Sequence, residues 1–197
     1  MGDDWNDHAE GWDDDPNVKR YAELAFGSLI AHLDIRAPDW AGRRVLDFGC
    51  GTGLMAEKVA PHVQEVVAVD TSDRMIAVLT AKAISNVRPL HADILAEGFP
   101  GAGDPGAGYD LIYASSVCGF LPDYAAAVAK LAGLLRPGGQ FVQWDWQAAE
   151  GDEDGLSLTG VTSALRNAGL RDVEVRTDFD FAAEGMSMPV LFGAGRA

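Results

Sequence analysis

The chain has 197 residues, 48% of them hydrophobic, and thirty acidic against fifteen basic side chains give it a formal charge of −15. That length fits one globular domain with a sizeable core, and the negative balance repels phosphate backbones and anionic bilayers, which argues against a nucleic-acid substrate or a membrane partner. Two cysteines without metal-type or redox-type neighbours, an acidic start and no apolar run near membrane-spanning length predict a reduced, soluble, cytoplasmic protein.

Residues 1–16 interleave acids from Asp3 to Asp15 with Trp5, His8 and Trp12, too polar a stretch to form a core alone. Two tryptophans there suit either a lid over a ligand cleft or simple docking onto the domain. From Asn17 to Leu33 apolar residues recur at helical spacing. A first strand, Arg43 to Phe48, runs into a glycine-rich turn and a helix from Leu54 to Ala60, stopped by Pro61. Val63 to Val69 is the second strand, nearly all β-branched, as a parallel strand covered on both faces should be. A helix over 73–83, a third strand over 87–92 and, after a Gly/Pro-rich connection at 96–108, a fourth strand from Tyr109 to Ser115 follow. Asp123 is placed to cap a helix reaching Leu135, Arg136-Pro137-Gly138-Gly139 turns the chain, and Gln140 to Trp146 is the fifth strand. The acidic loop 150–154 leads to a helix over 158–168 and two final strands, Arg171 to Phe181 and Pro189 to Gly195, joined by 182–188.

The turn after the first strand carries the chemistry. Val45-Leu46-Asp47-Phe48-Gly49-Cys50-Gly51-Thr52-Gly53 places glycines at alternate positions, where the backbone turns sharply and approaches a ligand closely. Its Gly-x-Gly-x-Gly spacing is not the dinucleotide G-x-G-x-x-G. Asp47, still inside the strand, would repel a pyrophosphate and attract an ammonium or sulfonium. Buried in an apolar strand, it also needs a partner. The motif closely resembles the first motif of the class I S-adenosylmethionine-dependent methyltransferases, and the resemblance extends over nearly the whole chain.

That resemblance implies an α/β fold: a doubly wound, Rossmann-like, seven-stranded sheet, mostly parallel, with helices on both faces and the last strand inserted antiparallel between the fifth and sixth. The chain then reads as a single domain over 1–197, with an N-terminal lid and helix (1–36), a cofactor-binding core (43–146) and a C-terminal helix and strand pair (147–197). Such a sheet binds ligands beyond the carboxyl ends of its strands. Asp70 lies one helix and one strand beyond Gly53, where a carboxylate can accept from both ribose hydroxyls. The resemblance implies that Asp70 holds the ribose, Asp93 accepts from the adenine amino group beside Ile94, and Asp47 with the Gly49, Gly51 and Gly53 backbone holds the methionine end. Phe48, Thr71 and Ser115 complete the expected cofactor contacts, and no residue set has metal-ligand spacing. Caps and turn formers are the structural alternative for Asp70, Asp93 and Ser115.

Methyl transfer from a sulfonium is an in-line displacement, so positioning alone supplies roughly 7–11 kcal/mol of barrier reduction and a general base is optional. Among the histidines, His32 and His62 at helix ends and His91 in a strand read as structural, which leaves His8 as the candidate base. Trp5, Trp12, Cys118, Phe120, Trp144, Trp146, Met186 and Met188 are candidate acceptor contacts, with plain core as the alternative for Trp144 and Phe120. The run Ala114-Ser115-Ser116-Val117-Cys118-Gly119-Phe120 departs from the Asn-Pro-Pro-Tyr type of amino-methylating enzymes and, with the acidic charge, favours a small organic acceptor. The expectation is an S-adenosylmethionine-dependent enzyme that releases S-adenosylhomocysteine. Its rivals are a cofactor-binding regulatory protein that transfers nothing and, against the glycine spacing, a nicotinamide oxidoreductase.

Overall fold

A computed structural model describes residues 5–96, 108–148, 155–183 and 185–197. The expected open connection at 96–108 and the acidic loop at 150–154 lie almost wholly outside the described residues. Contacts cluster in two compact units, Met1–Phe99 and Pro100–Ala197.

In the first unit, helix α1 (Pro16–His32) starts where Asp15 accepts a hydrogen bond from the Asn17 amide at 2.7 Å and Pro16 takes the first helical position. Its buried residues, Tyr21, Ala22, Ala25 and Leu29, fall on one stripe. Strands β1 (Arg44–Phe48), β2 (Glu65–Asp70) and β3 (Val87–His91) alternate with α2 (Leu54–Val59) and α3 (Asp73–Ala81). All three strands run parallel in the order β3-β2-β1, with Phe48 opposite Val69 and Asp70 opposite His91, so their carboxyl ends lie side by side. The core holds Leu29, Val45, Leu46, Val66 and Val67 without exposed surface. Helix α2 ends at Val59, one residue before the expected Ala60, and Pro61 lies in the 3-10 turn over Ala60–His62 that follows it.

In the second unit, β4 (Tyr109–Ser115) pairs parallel with β5 (Leu135–Trp146), which pairs antiparallel with β7 (Met186–Arg196), itself antiparallel to β6 (Arg171–Ala183). Helices α4 (Tyr124–Ala132) and α5 (Leu158–Asn167) connect them; Asp123, the expected cap, accepts from the Ala126 amide at 2.9 Å, and Ser157 caps α5 by accepting from the Gly160 amide at 3.1 Å. Ser157→Ala is expected to cost about 1 kcal/mol, read as a lower urea midpoint at unchanged slope. The order β4-β5-β7-β6 puts the last strand between the fifth and sixth. The sheet has seven strands, is mostly parallel and is of the doubly wound class.

Further boundaries depart from the sequence expectation for physical reasons: the helix expected to reach Leu135 ends at Ala132, because Leu135 already belongs to the next strand. β5 begins at Leu135 because Tyr109 pairs with Leu135 before the register shifts to Leu111 opposite Gln140. The Arg136-Pro137-Gly138-Gly139 run is thus a bulge within the strand. Gly139 is required there, since a Cβ would lie 2.7 Å from the Tyr109 carbonyl oxygen. The final hairpin is also longer than expected, with Met186 and Met188 inside β7 at 62% and 38% exposure. Among the described residues no helix is long and apolar enough to cross a membrane.

Candidate cofactor site

The glycine turn after β1 holds the shape its sequence requires. Gly49, Gly51 and Gly53 all have positive φ (67°, 53° and 84°), a conformation that side chains disfavour. Its amides are committed within the protein: Gly49 and Cys50 donate to the Val69 carbonyl at 2.8 and 3.0 Å, Gly53 to the Cys50 carbonyl at 2.9 Å, and Gly51 to Asp70 Oδ2 at 2.8 Å. The other Asp70 oxygen accepts from the Ser72 amide at 2.8 Å, so this carboxylate ties the turn to the end of β2. A phosphate would have to displace these bonds, two of them from a strand carbonyl and one from a carboxylate.

The field at the turn is negative. Burial pushes the Cys50 thiol well above its ordinary range, the Asp47 and Asp70 carboxylates push it further, and Lys82 offsets part of their effect. Asp47 is 1% exposed and lies close enough to Cys50 to raise its thiol. Asp70 is partly exposed, Thr71 and Asp93 are exposed, Ser115 is half-buried, and Phe48 and Ile94 are buried. Asp93 Oδ1 accepts from the Leu95 amide at 2.8 Å in a local turn, and the Thr71 carbonyl lies 3.1 Å from His91 Nε2. Thus Asp47, the glycines, Asp70, Thr71 and Asp93 share the carboxyl-end side of one three-stranded unit, while Ser115 ends β4 in the other.

The N-terminal segment docks onto this site. Two 3-10 turns, Trp5–His8 and Trp12–Asp14, fold back so that Asn6 Oδ1 accepts from Ser72 Oγ at 2.6 Å and Asp13 Oδ1 accepts from Thr52 Oγ1 at 2.5 Å. Lys82 Nζ then bridges Asp13 and Glu57, 2.6 Å from each. One short segment therefore touches both the glycine turn and the first turn of α3. Trp5, His8 and Trp12 gather at ring separations of 5.8–6.3 Å, with His8 exposed. Asn6, Asp13, Thr52 and Lys82 escape sequence reasoning because each polar pair except Lys82 with Glu57 spans 39 residues or more. Asp13→Ala is expected to lower stability by about 1 kcal/mol and to speed amide exchange in 5–14, measured by mass spectrometry.

In the second unit, the expected acceptor residues separate. Trp144 has no exposed surface: it packs 5.8 Å from the Phe192 ring and donates from Nε1 to Asp178 at 3.2 Å, so it is core and not an acceptor contact. Cys118 is likewise buried, its thiol pushed up by burial and then by Asp145. Phe120 stays 50% exposed in the loop after β4. Asp145, on β5, was not among the expected residues, yet it is wholly buried and accepts from the Cys118 and Gly119 amides at 2.9 and 3.0 Å.

Burial raises the Asp145 carboxyl to about 6, against the lowering effect of four backbone amides. Because the folded-state value lies above the unfolded one, the folded protein holds this proton more tightly. Its stabilisation is complete below the unfolded value of 3.8 and is lost as pH rises through about 6. Relative to Asp145→Asn, the wild type should gain roughly 2 kcal/mol between pH 8 and pH 4, read from paired urea unfolding curves.

A doubly wound sheet with a glycine-rich turn after its first strand is the fold class the comparisons also find. The chain belongs to the class I S-adenosylmethionine-dependent methyltransferase family: residues 20–175 match the family described as a methyltransferase domain. An uncharacterized methyltransferase of Mycobacterium tuberculosis is 36% identical over 124 residues, 62% of this chain and 53% of that protein. The trans-aconitate 2-methyltransferase of Methylobacterium radiotolerans is 33% identical over 138 residues, 69% and 47% of the two chains. The chain thus spans about half the length of these curated relatives. Among solved structures, an S-adenosylmethionine dependent methyltransferase from Mesorhizobium loti superposes with a TM-score of 0.70 over 88% of this chain and 98% of that one, at 21% identity.

Proposed function

We propose that the chain, as a single domain, binds S-adenosylmethionine in the first unit and transfers its methyl group to a small organic acceptor, releasing S-adenosylhomocysteine. The observation that carries this reading is the Gly51 amide donating to Asp70, with buried Asp47 also close to the turn: two carboxylates act on a turn whose Gly49, Cys50, Gly51 and Gly53 amides are engaged within the protein, a field that suits a cation better than a phosphate. Bound there, the cofactor supplies an electrophilic methyl on a sulfonium. Asp70 accepts from the ribose hydroxyls, Asp93 from the adenine amino group beside Ile94, and Asp47 with the Gly49–Gly53 backbone holds the methionine end. Phe48 and Thr71 complete the contacts within that unit.

The docked N-terminal segment acts as a lid that excludes water, and His8, exposed in it, is the candidate base for an acceptor that needs deprotonation. Positioning supplies most of the catalysis. An acceptor of small organic type is supported by the acidic surface and by the relative named for trans-aconitate.

Calorimetry with S-adenosylmethionine and S-adenosylhomocysteine tests the reading. Submillimolar binding is expected, and a folded protein that binds neither refutes it. Release of S-adenosylhomocysteine with a panel of phenols, amines and carboxylic acids separates transfer from binding alone, and loss of that release in His8→Ala would assign the base.

A further inference from the structure

The N-terminal segment brings a carboxylate to the glycine turn from 39 residues away. Asp13 Oδ1 accepts at 2.5 Å from the hydroxyl of Thr52, which stands between Gly51 and Gly53 and is 1% exposed. The other Asp13 oxygen lies 2.6 Å from Lys82 Nζ, and Glu57 of α2 lies 2.6 Å from the same nitrogen. Lys82 follows the last residue of α3, so the segment, α2 and α3 of the first unit meet at this one ammonium.

Two carboxylates against one ammonium leave the cluster with one negative charge, and without Asp13 it would be neutral. Side-chain charges in this unit act on the turn: beside the larger effect of burial, Asp47 and Asp70 raise the Cys50 thiol and Lys82 lowers it. Asp13 therefore works on the turn in two ways, directly through its bond to Thr52 and indirectly by quenching Lys82. A hydrogen bond from Thr52 needs only an acceptor oxygen, which asparagine also has. What the acid adds is charge.

That charge has two ligands to distinguish. S-adenosylmethionine carries a sulfonium. When the methyl leaves for the acceptor, the electron pair of the broken C–S bond stays on sulfur and the product is a thioether with one positive charge fewer. The ribose, adenine and amino-acid groups are common to both, whereas the field at the turn tells them apart.

We propose that Asp13 is a specificity-determining residue: paired with Lys82 beside the glycine turn, its carboxylate keeps the turn negative and so favours the sulfonium cofactor over the thioether product. This rests on the binding of S-adenosylmethionine in the first unit proposed above. By linkage, the segment that carries Asp13 docks more tightly when the turn holds the cation, and transfer of the methyl loosens it.

Calorimetry with S-adenosylmethionine and S-adenosylhomocysteine on folded wild type, Asp13→Asn and Asp13→Glu tests the role. Asparagine keeps the size of aspartate and loses the charge, and glutamate keeps the charge at a different size. The ratio of cofactor to product affinity is expected to fall roughly fivefold in Asp13→Asn and to stay within about twofold of wild type in Asp13→Glu. Amide exchange over 5–14 in the wild type should be roughly fivefold slower with saturating S-adenosylmethionine than with saturating S-adenosylhomocysteine. An equal loss of affinity for both ligands in Asp13→Asn, the mark of a merely structural contact, overturns the role, as does an unchanged ratio or one that falls as far in Asp13→Glu. Equal exchange with the two ligands overturns it as well. Each of these results leaves cofactor binding standing, whereas a folded wild type that binds neither ligand overturns the cofactor reading and this role with it.

Discussion

Replacing Asp70 with alanine is expected to weaken S-adenosylmethionine binding roughly 10²–10³-fold, the loss of two hydrogen bonds to a charged acceptor at about 1.5–3 kcal/mol each, less some compensation by water. The same carboxylate already receives the Gly51 and Ser72 amides at 2.8 Å. The variant should therefore also unfold at lower urea, since the glycine turn loses its tie to β2. Asp70→Asn keeps one acceptor oxygen and should fall between the two. Calorimetry on protein shown to be folded decides the matter: a shift of less than about threefold would remove Asp70 from the cofactor contacts.

Gly53→Val carries the largest expected effect on stability. At φ +84° a β-branched residue is strained, and its Cβ would run into the Leu79 side chain of α3. Left-handed strain of roughly 1–2 kcal/mol adds to overpacking of roughly 1–3 kcal/mol. Loss of about 3–5 kcal/mol is expected in urea unfolding, enough to leave a marginal domain largely unfolded. Gly51→Ala is the matched control. That position also has positive φ, but a Cβ there meets nothing within 4 Å, so only the backbone term of about 1–2 kcal/mol should appear. Equal losses at the two positions would show that packing against Leu79 contributes nothing.

Much of the architecture is legible where local and global preferences agree. β4 is found at the expected bounds because a continuous apolar run ends abruptly at Ser115, and α3, α4 and α5 begin where Ser72, Asp123 and Ser157 cap them. Glycine spacing and Asp47 point to the turn, and regular strand–helix alternation points to Asp70. Other features depend on pairing that a linear reading does not see. The bulge that carries Pro137 and Gly139 into β5 is visible only once Tyr109 lies beside it. Trp144 reads as an acceptor contact because aromatic residues near a strand end fit a pocket as well as a core; its Asp178 partner is 34 residues away. Asp145 sits between two tryptophans, and its amide partners come from a loop 26 and 27 residues earlier. The Asn6 and Asp13 contacts span 66 and 39 residues, so the acidic N-terminal segment announces its composition but not its target.

Cys50 occupies the middle of the cradle, 9% exposed, with its thiol held protonated far past neutrality by burial and by Asp47 and Asp70. Only the thiolate form is a strong nucleophile. Under the proposed function, the two carboxylates that attract the donor's positive charge also add to burial in keeping the adjacent sulfur protonated and inert. On that reading, attraction of the reagent and, together with burial, protection of the protein from self-alkylation share one pair of negative charges.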